Sequence, residues 1–314
     1  MLPKKKKEKC RYCKNEGYYF RPYEGYWLCK SCFIKSVEKR VYKNIRVNNL
    51  LGQKENVCVA LSGGKDSTTT LYLLHRIIEK RGDSNIFAIS IDEGLGKYRK
   101  DSISLAKKHC KKLGIEHYIY SFKKEFGKDL KQIVKENKHI APCTICGVLR
   151  RYLLNKKARE LGATKIALGL NLDDEAESIF LNFVFGNLDR FVRLGPKIEN
   201  PALKGFVPRI KPLRELPNKE VEAYLKARGI EFHPKGICPV GKDSFRKTIR
   251  KSLQEWEEKY PGTTFQIVRF FDRIVGPVRK DYFGNISGKY KTCKICGEPS
   301  SRKICKVCEI LKRY

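Results

Sequence analysis

Apolar and polar positions follow two different periods along the middle of this chain. Val57-Cys58-Val59-Ala60-Leu61 is a short continuous apolar run, the pattern of a strand buried on both faces. From Ser67 to Lys80, Leu71, Leu74, Ile77 and Ile78 recur at helical spacing. Ile86–Ile91 reads as a second strand, and Ser102–Leu113 as a second helix stopped by Gly114. Ile115–Tyr120 follows as a third strand. Gly147–Leu161 reads as a helix ending at Gly162, Lys165–Leu168 as a fourth strand, and Asp173–Val184 as a further helix. Strands alternating with helices predict an α/β fold, a parallel sheet covered by helices on both faces.

That pattern occupies residues 51–275 of 314 and is flanked by two cysteine-rich segments, 1–50 and 280–314. A Gly-containing linker, Phe283–Gly288, precedes the second of these. The expected organisation is therefore a central α/β domain with a small cysteine-rich finger at each end. Hydrophobic residues make up 41% and charged residues 32%, which excludes wholesale disorder. No run of about 18 apolar residues exists, so no spanning helix is expected. The start, Met1-Leu2-Pro3-Lys4, is basic with no apolar stretch after it and does not read as a secretory signal. It suits a frayed, solvated tail or a phosphate-binding arm.

Charge changes the picture most. With 67 Lys and Arg against 34 Asp and Glu, the net charge is +33. The expected partner is a polyanion, nucleic acid before a membrane surface. Eight of the 13 cysteines form four Cys-x2-Cys pairs at the chain ends. In an intracellular protein such pairs read as metal sites. A cytoplasmic location is expected. Cys10, Cys13, Cys29 and Cys32 form one four-thiolate zinc pattern, and Cys293, Cys296, Cys305 and Cys308 another. Arg11, Tyr12, Lys14, Tyr18, Tyr19, Arg21, Tyr23 and Trp27 interleave cations and aromatics in the first, a surface suited to RNA. Zinc standing in for a core too small to fold alone accounts for the fingers equally well.

In parallel sheets, ligands bind beyond the carboxyl ends of the strands. After the first strand comes Ser62-Gly63-Gly64-Lys65-Asp66-Ser67. Two glycines let N–H groups curl around an anion, a helix N-terminus points at it, and Lys65 adds a point charge. This reads as a pyrophosphate cradle; the bland alternative is a turn with Ser as N-cap. It is not a Walker A loop, since Val59 stands where a Gly is needed and Asp66 where Ser or Thr is. Nor is Gly94-Leu95-Gly96-Lys97-Tyr98-Arg99 a dinucleotide fingerprint. Asp92 fits an active-site or a turn role. Asp173 and Asp174, after the fourth strand, suit Mg²⁺ and also the first turn of a helix.

Three inner cysteines remain: Cys143 and Cys146 in Pro142-Cys-x2-Cys-Gly147, and Cys238 in Ile237-Cys-Pro239. Three thiolates leave one position open, which suits a catalytic metal or an iron–sulfur cluster with one unligated iron. A redox disulfide or two buried thiols would also fit. Cys58 and Cys110 read as small hydrophobes. Arg246, Lys247, Arg250 and Lys251 form either a phosphate-binding stripe or a solvated helix face.

The Ser-Gly-Gly-Lys-Asp-Ser loop resembles that of the PP-loop ATP pyrophosphatases. Together with the inner and terminal cysteines, the whole chain resembles the TtuA/NcsA-type tRNA 2-thiouridine synthetases. The resemblance implies a nucleotide lodged against Ala60, Leu61, Ser62, Gly63, Gly64, Lys65, Asp66, Ser67, Ile91, Gly169, Asp173 and Asp174, with Mg²⁺. It implies a 4Fe-4S cluster on Cys143, Cys146 and Cys238, and zinc on both four-cysteine sets. The implied reaction is adenylation of a tRNA uridine at O2, then sulfur transfer to C2, at wobble position 34 or T-loop position 54. Asp66, Asp173, Arg150 and the three inner cysteines would carry it. Some relatives have Lys where this chain has Arg150; Arg keeps the charge but cannot donate a proton. The implied partners are tRNA, a sulfur donor (sulfide, a persulfide or a ubiquitin-like thiocarboxylate protein) and a second copy of the chain. Rival expectations are a persulfide enzyme with Cys143 or Cys146 attacking and Cys238 resolving, a lysidine-forming or amidating PP-loop enzyme, and a non-catalytic zinc-finger RNA-binding protein.

Overall fold

The computed structural model describes residues 8–198, 205–234, 245–284 and 291–313. The N-terminal segment forms a hairpin, β1 (Tyr19–Arg21) and β2 (Tyr26–Leu28), followed by helix α1 (Lys30–Val47). The central region then runs β3 (Asn56–Ala60), α2 (Lys65–Arg81), β4 (Asn85–Asp92), α3 (Lys97–Leu113) and β5 (Glu116–Ser121). Next come α4 (Phe122–Phe126), α5 (Leu130–Glu136), α6 (Pro142–Glu160), β6 (Lys165–Ala167) and α7 (Leu172–Val184). After these follow α8 (Leu188–Phe191), β7 (Lys197–Ile198), β8 (Arg209–Ile210), α9 (Asn218–Arg228), α10 (Phe245–Lys259) and α11 (Thr263–Gly284). A small hairpin, β9 (Lys291–Thr292) and β10 (Pro299–Ser300), and α12 (Lys306–Ile310) close the described chain.

Six strands make one sheet in the order β5-β4-β3-β6-β8-β7. Every pairing is parallel except the edge strand β7, which runs antiparallel to β8. The expected parallel sheet thus carries one antiparallel edge. Side-chain alternation explains the apolar run of β3. Val57 and Val59 face a core shared with α1, α2 and α9. Cys58 faces the opposite core, built on α6. Both Cys58 and Cys110 are buried, and burial pushes their thiols up.

Three helix starts differ from the expectation. α2 begins at Lys65, capped by Gly64 with no side-chain bond, rather than by a serine. α3 begins at Lys97, in a polar stretch whose Arg99 turns inward. α6 begins at Pro142, so Cys143 and Cys146 lie in its first turns, not in a preceding loop. Proline at the first helical position is the reason, since its missing N–H is not needed there.

The terminal cysteine segments are built into opposite faces. Cys10, Cys29, Leu28 and Phe33 join the α1/α2/α9 core. Cys293, Cys305 and Cys308 join the α6 core with Leu149 and Leu153. A buried ion pair fixes the first segment: Arg21 donates to Glu220 of α9 at 3.0 and 2.8 Å, and Tyr23 donates to the same carboxylate. Glu220 is fully buried and Arg21 nearly so. Removing one partner of such a pair strands the other charge, at a cost of about 3–5 kcal/mol. Glu220→Ala should therefore lower unfolding free energy by roughly that amount in chemical denaturation; an unchanged midpoint would show that the clasp is not structural.

Candidate active site

The chain leaves β3 in one direction, toward β4 and β5, and later returns on its other side as β6. The carboxyl ends of β3 and β6 therefore lie side by side at a switch point, where a crevice opens. A cavity of about 610 Å³ occupies it, lined by Ser62, Gly64, Lys65 and Asp66 from the first connection and Asn171, Asp173 and Asp174 from the second. Cys146 and Arg150 of α6, and Glu177 and Arg250, complete its walls.

The carbonyls of the loop after β3 are engaged by protein donors. Arg99 donates to the Ser62 carbonyl at 2.9 Å, and the His233 N–H to the Gly63 carbonyl at 2.9 Å. Gly63 sits at φ +82, and a Cβ there would lie 2.1 Å from the Ser102 carbonyl oxygen. Ser67 Oγ accepts from the Ser62 N–H at 3.0 Å and lies 2.9 Å from Ser62 Oγ. The uncapped N-terminus of α2 thus faces the cavity with its positive dipole end, the arrangement that holds a phosphate. Lys65 Nζ contacts Asp66 Oδ1 and Asn218 Oδ1, both at 2.6 Å.

The second connection is pressed against the first. A Cβ on Gly169 would stand 2.7 Å from the backbone carbon of Asp66 and the nitrogen of Ser67. Asn171 caps α7 in a capping box with Asp174. Its amide also donates to Asp66 at 2.9 Å. Asp173 accepts from the Asn218 N–H at 2.7 Å, so part of its capacity is spent on positioning α9. Burial raises Asp173, and burial plus the charge of Asp66 brings Asp174 up to about 6. Carboxylates gathered at this price beside a phosphate cradle form a donor set suited to Mg²⁺, which binds a few carboxylates together with phosphate oxygens.

Two side chains that sequence reasoning did not single out organise this end of the sheet. Buried Glu93 pairs with Arg99 at 2.9 Å and with Arg150 at 3.3 Å. Arg99 in turn donates to the Ile91 carbonyl at 2.8 Å, so that oxygen is already engaged. Glu93 therefore links the phosphate loop and the β4 end to the residue that follows Cys146 by one turn. Arg99 was visible only as the residue that spoiled a dinucleotide fingerprint. The basic stripe on α10 divides. Arg246 and Arg250 pair with buried Glu177, while Lys251 reaches solvent and Glu255.

Cys143 and Cys146, three residues apart, share one face of α6. Cys146 lines the cavity and Cys143 is exposed one turn earlier. They fit as two ligands of a three-thiolate site. The chain passes the phosphate loop at His233, but Cys238 lies outside the described residues.

The terminal cysteines converge as two compact sets. In each, all four sulfurs lie within 4.8 Å of one another. Cys13 Sγ is 3.5 and 3.9 Å from those of Cys29 and Cys32, and Cys293 Sγ is 3.9 Å from that of Cys308. Thiolates about 2.3 Å from a tetrahedral zinc stand roughly 3.8 Å apart, so both sets fit that ion.

A glycine-lined anion cradle at the switch point of a parallel sheet defines a nucleotide-binding protein of the PP-loop type. A family model described as a PP-loop domain matches residues 35–255. The tRNA 2-thiolation protein NcsA of Haloferax volcanii is 32% identical, over 96% of this chain and 98% of the relative. The tRNA-5-methyluridine(54) 2-sulfurtransferase of Pyrococcus horikoshii is 34% identical, over 96% and 93%. Among solved structures, the U34-tRNA thiolase NcsA from Methanococcus maripaludis with its [4Fe-4S] cluster superposes with TM-score 0.83 at 35% identity, covering 100% of this chain and 97% of that one. The chain belongs to the PP-loop family, in the branch that holds these tRNA thiolation proteins.

Gly169→Ala would force Cβ into the backbone of Asp66 and Ser67. It should weaken ATP binding at least about tenfold by calorimetry, a loss on the order of 1.4 kcal/mol, with far-UV circular dichroism unchanged. Wild-type affinity would show that the close approach does not shape the cradle.

Proposed function

We propose that this protein is an ATP-dependent tRNA uridine 2-sulfurtransferase. The observation that carries the reading is the single cavity that joins the phosphate loop to Cys146 and Arg150. In the first step uridine O2 attacks the α-phosphorus of ATP, and the bond to the β-phosphate oxygen breaks to release pyrophosphate. In the second, sulfur forms a bond to C2, and AMP leaves carrying the former O2. A poor leaving oxygen has become a good one. The target is a uridine at position 34 or 54, the two positions that the relatives' names give.

The loop N–H groups and the α2 dipole stabilise the charge that grows on the leaving pyrophosphate. Lys65 adds a cation, and rotating off Asp66 and Asn218 frees it for phosphate. Asp66 and Asp174 hold Mg²⁺, and Asp173 fixes the α9 end of the cavity through Asn218. Arg150, held by Glu93, supplies a fixed positive charge beside the phosphate that departs with AMP. Cys143, Cys146 and Cys238 would hold a 4Fe-4S cluster, which supplies an open iron position for the incoming sulfur. Zinc at the terminal cysteines secures both finger segments to the sheet. The sulfur donor is sulfide, a persulfide or a ubiquitin-like thiocarboxylate; the working unit is a cytoplasmic homodimer. The second of these reactions needs dry, positioned chemistry on a base, which calls for the uridine to be flipped out of the RNA.

The test is nucleoside mass spectrometry of tRNA after anaerobic incubation with holoprotein, ATP, Mg²⁺ and sulfide. Wild type should give about one 2-thiouridine per tRNA. Asp66→Ala should lower the rate at least about 100-fold, as removal of one transition-state charge contact does. Cys143→Ser should lose both thiouridine and iron while retaining two zincs. Thiolation that survives Asp66→Ala would contradict the adenylating role. Thiolation by an iron-free protein would favour the persulfide route.

A further inference from the structure

Helix α6 is the wall between two cavities. One face carries Cys146 and Arg150 into the nucleotide cavity. The other lines a second cavity of about 480 Å³, bounded by β8 and the C-terminal cysteine segment. Three arginines from separate elements meet there: Arg151 of α6, Arg190 of α8 and Arg209 of β8. None of the three pairs with a carboxylate among the described residues. The acid that lines this cavity, Glu298, is engaged by Arg159 at 2.9 Å. Arg209 Nε is fully buried with no hydrogen-bond partner, and its guanidinium lies 4.8 Å from the centre of the Phe206 ring. Burial and then Arg151 push Arg209 down to about 10. Arg151 is itself pushed down by burial, then by Arg150, Arg190 and Arg246.

Like charges gathered without a counter-charge destabilise the fold, and an orphaned buried donor adds to that. Such a cluster makes sense when an anion completes it. We propose that the second cavity binds a backbone phosphate of the RNA substrate through Arg151, Arg190 and Arg209, next to the nucleotide whose uridine enters the first. The inference rests on the reading of the protein as a tRNA thiolase. Planar guanidinium forks match phosphate oxygens. Thr144, on the same wall, lies between Cys143 and Cys146 in sequence, so one strand crossing the start of α6 reaches both cavities. Tyr152 and Phe206 offer ring faces for a neighbouring base.

The experiment is equilibrium binding of an unmodified tRNA transcript to the full zinc-loaded chain at several salt concentrations. Arg209→Met should raise Kd about tenfold and make the slope of log K against log salt shallower by about 1. Arg209→Lys should recover part of the loss. ATP affinity and zinc content should stay at wild-type values, and Tm should hold or rise because repulsion is relieved. Arg190→Ala, on the exposed rim, should shift Kd and slope the same way, so a folding defect in one variant does not decide the matter. Wild-type Kd and slope in both alanine and methionine variants would overturn the proposal, even if inorganic phosphate binding changed. A lower Tm with an unchanged slope would assign the cluster a structural role instead. If wild type binds and thiolates tRNA while the variants match it, only the second cavity is refuted; if wild type binds no tRNA, the thiolase reading fails first.

Discussion

The site depends on two backbones passing closer than any side chain would allow. Gly169 runs against Asp66 and Ser67 with no room for a Cβ. That contact exists because β3 and β6 are neighbours in the sheet while their connections leave in opposite directions. It brings the anion cradle after one strand and the acidic helix start after the other into one crevice. Asn171 fixes the join by capping α7 and donating to Asp66. The cradle, the carboxylates of Asp66, Asp173 and Asp174 and the α9 end are therefore one bonded unit rather than three loops that happen to meet.

Around that unit, buried charge does the holding. Glu175, the residue after Asp174, accepts from the Gly195 N–H, Lys211 and Arg214, and Arg214 continues to Asp272 of α11. Burial alone would raise Glu175, but Lys211 and Arg214 outweigh it and bring it down. On the other flank Glu93 ties Arg99 to Arg150. Glu175 and Glu93 each gather two cations, so the cavity walls are braced on both flanks. The cysteine segments brace the two faces in the same sense, since each is part of a main core.

Local chemistry was legible in the residues, and long-range pairing was not. The apolar run at Val57–Leu61 and the loop after it stand where the pattern places them. The four-cysteine sets close as their spacing requires. The sequence pattern predicts α6 only from Gly147, whereas it starts at Pro142; Ile145 extends the apolar row of Leu149 and Leu153 by one turn, but the flanking thiols and Thr144 mask it. Phe33, Val37, Val41 and Ile45 recur every four residues and mark α1, but the dense charge around them hid the period. Arg21 and Glu220 lie 199 residues apart, and nothing local tells either that it will be buried with the other. The role of Arg99 is likewise set by how α3 folds back over β4. The convergence of Arg151, Arg190 and Arg209 belongs to the same class.

The central claim is that the crevice activates a uridine oxygen with ATP before sulfur arrives. It is tested most directly by following that oxygen. A tRNA whose reacting uridine carries ¹⁸O at O2 is incubated anaerobically with holoprotein, ATP, Mg²⁺ and sulfide, and the AMP is analysed by mass spectrometry. The account requires one ¹⁸O in each AMP formed together with a 2-thiouridine. AMP carrying only unlabelled oxygen, in step with thiouridine formation, would show that uridine O2 never bonded to the α-phosphorus and would contradict it.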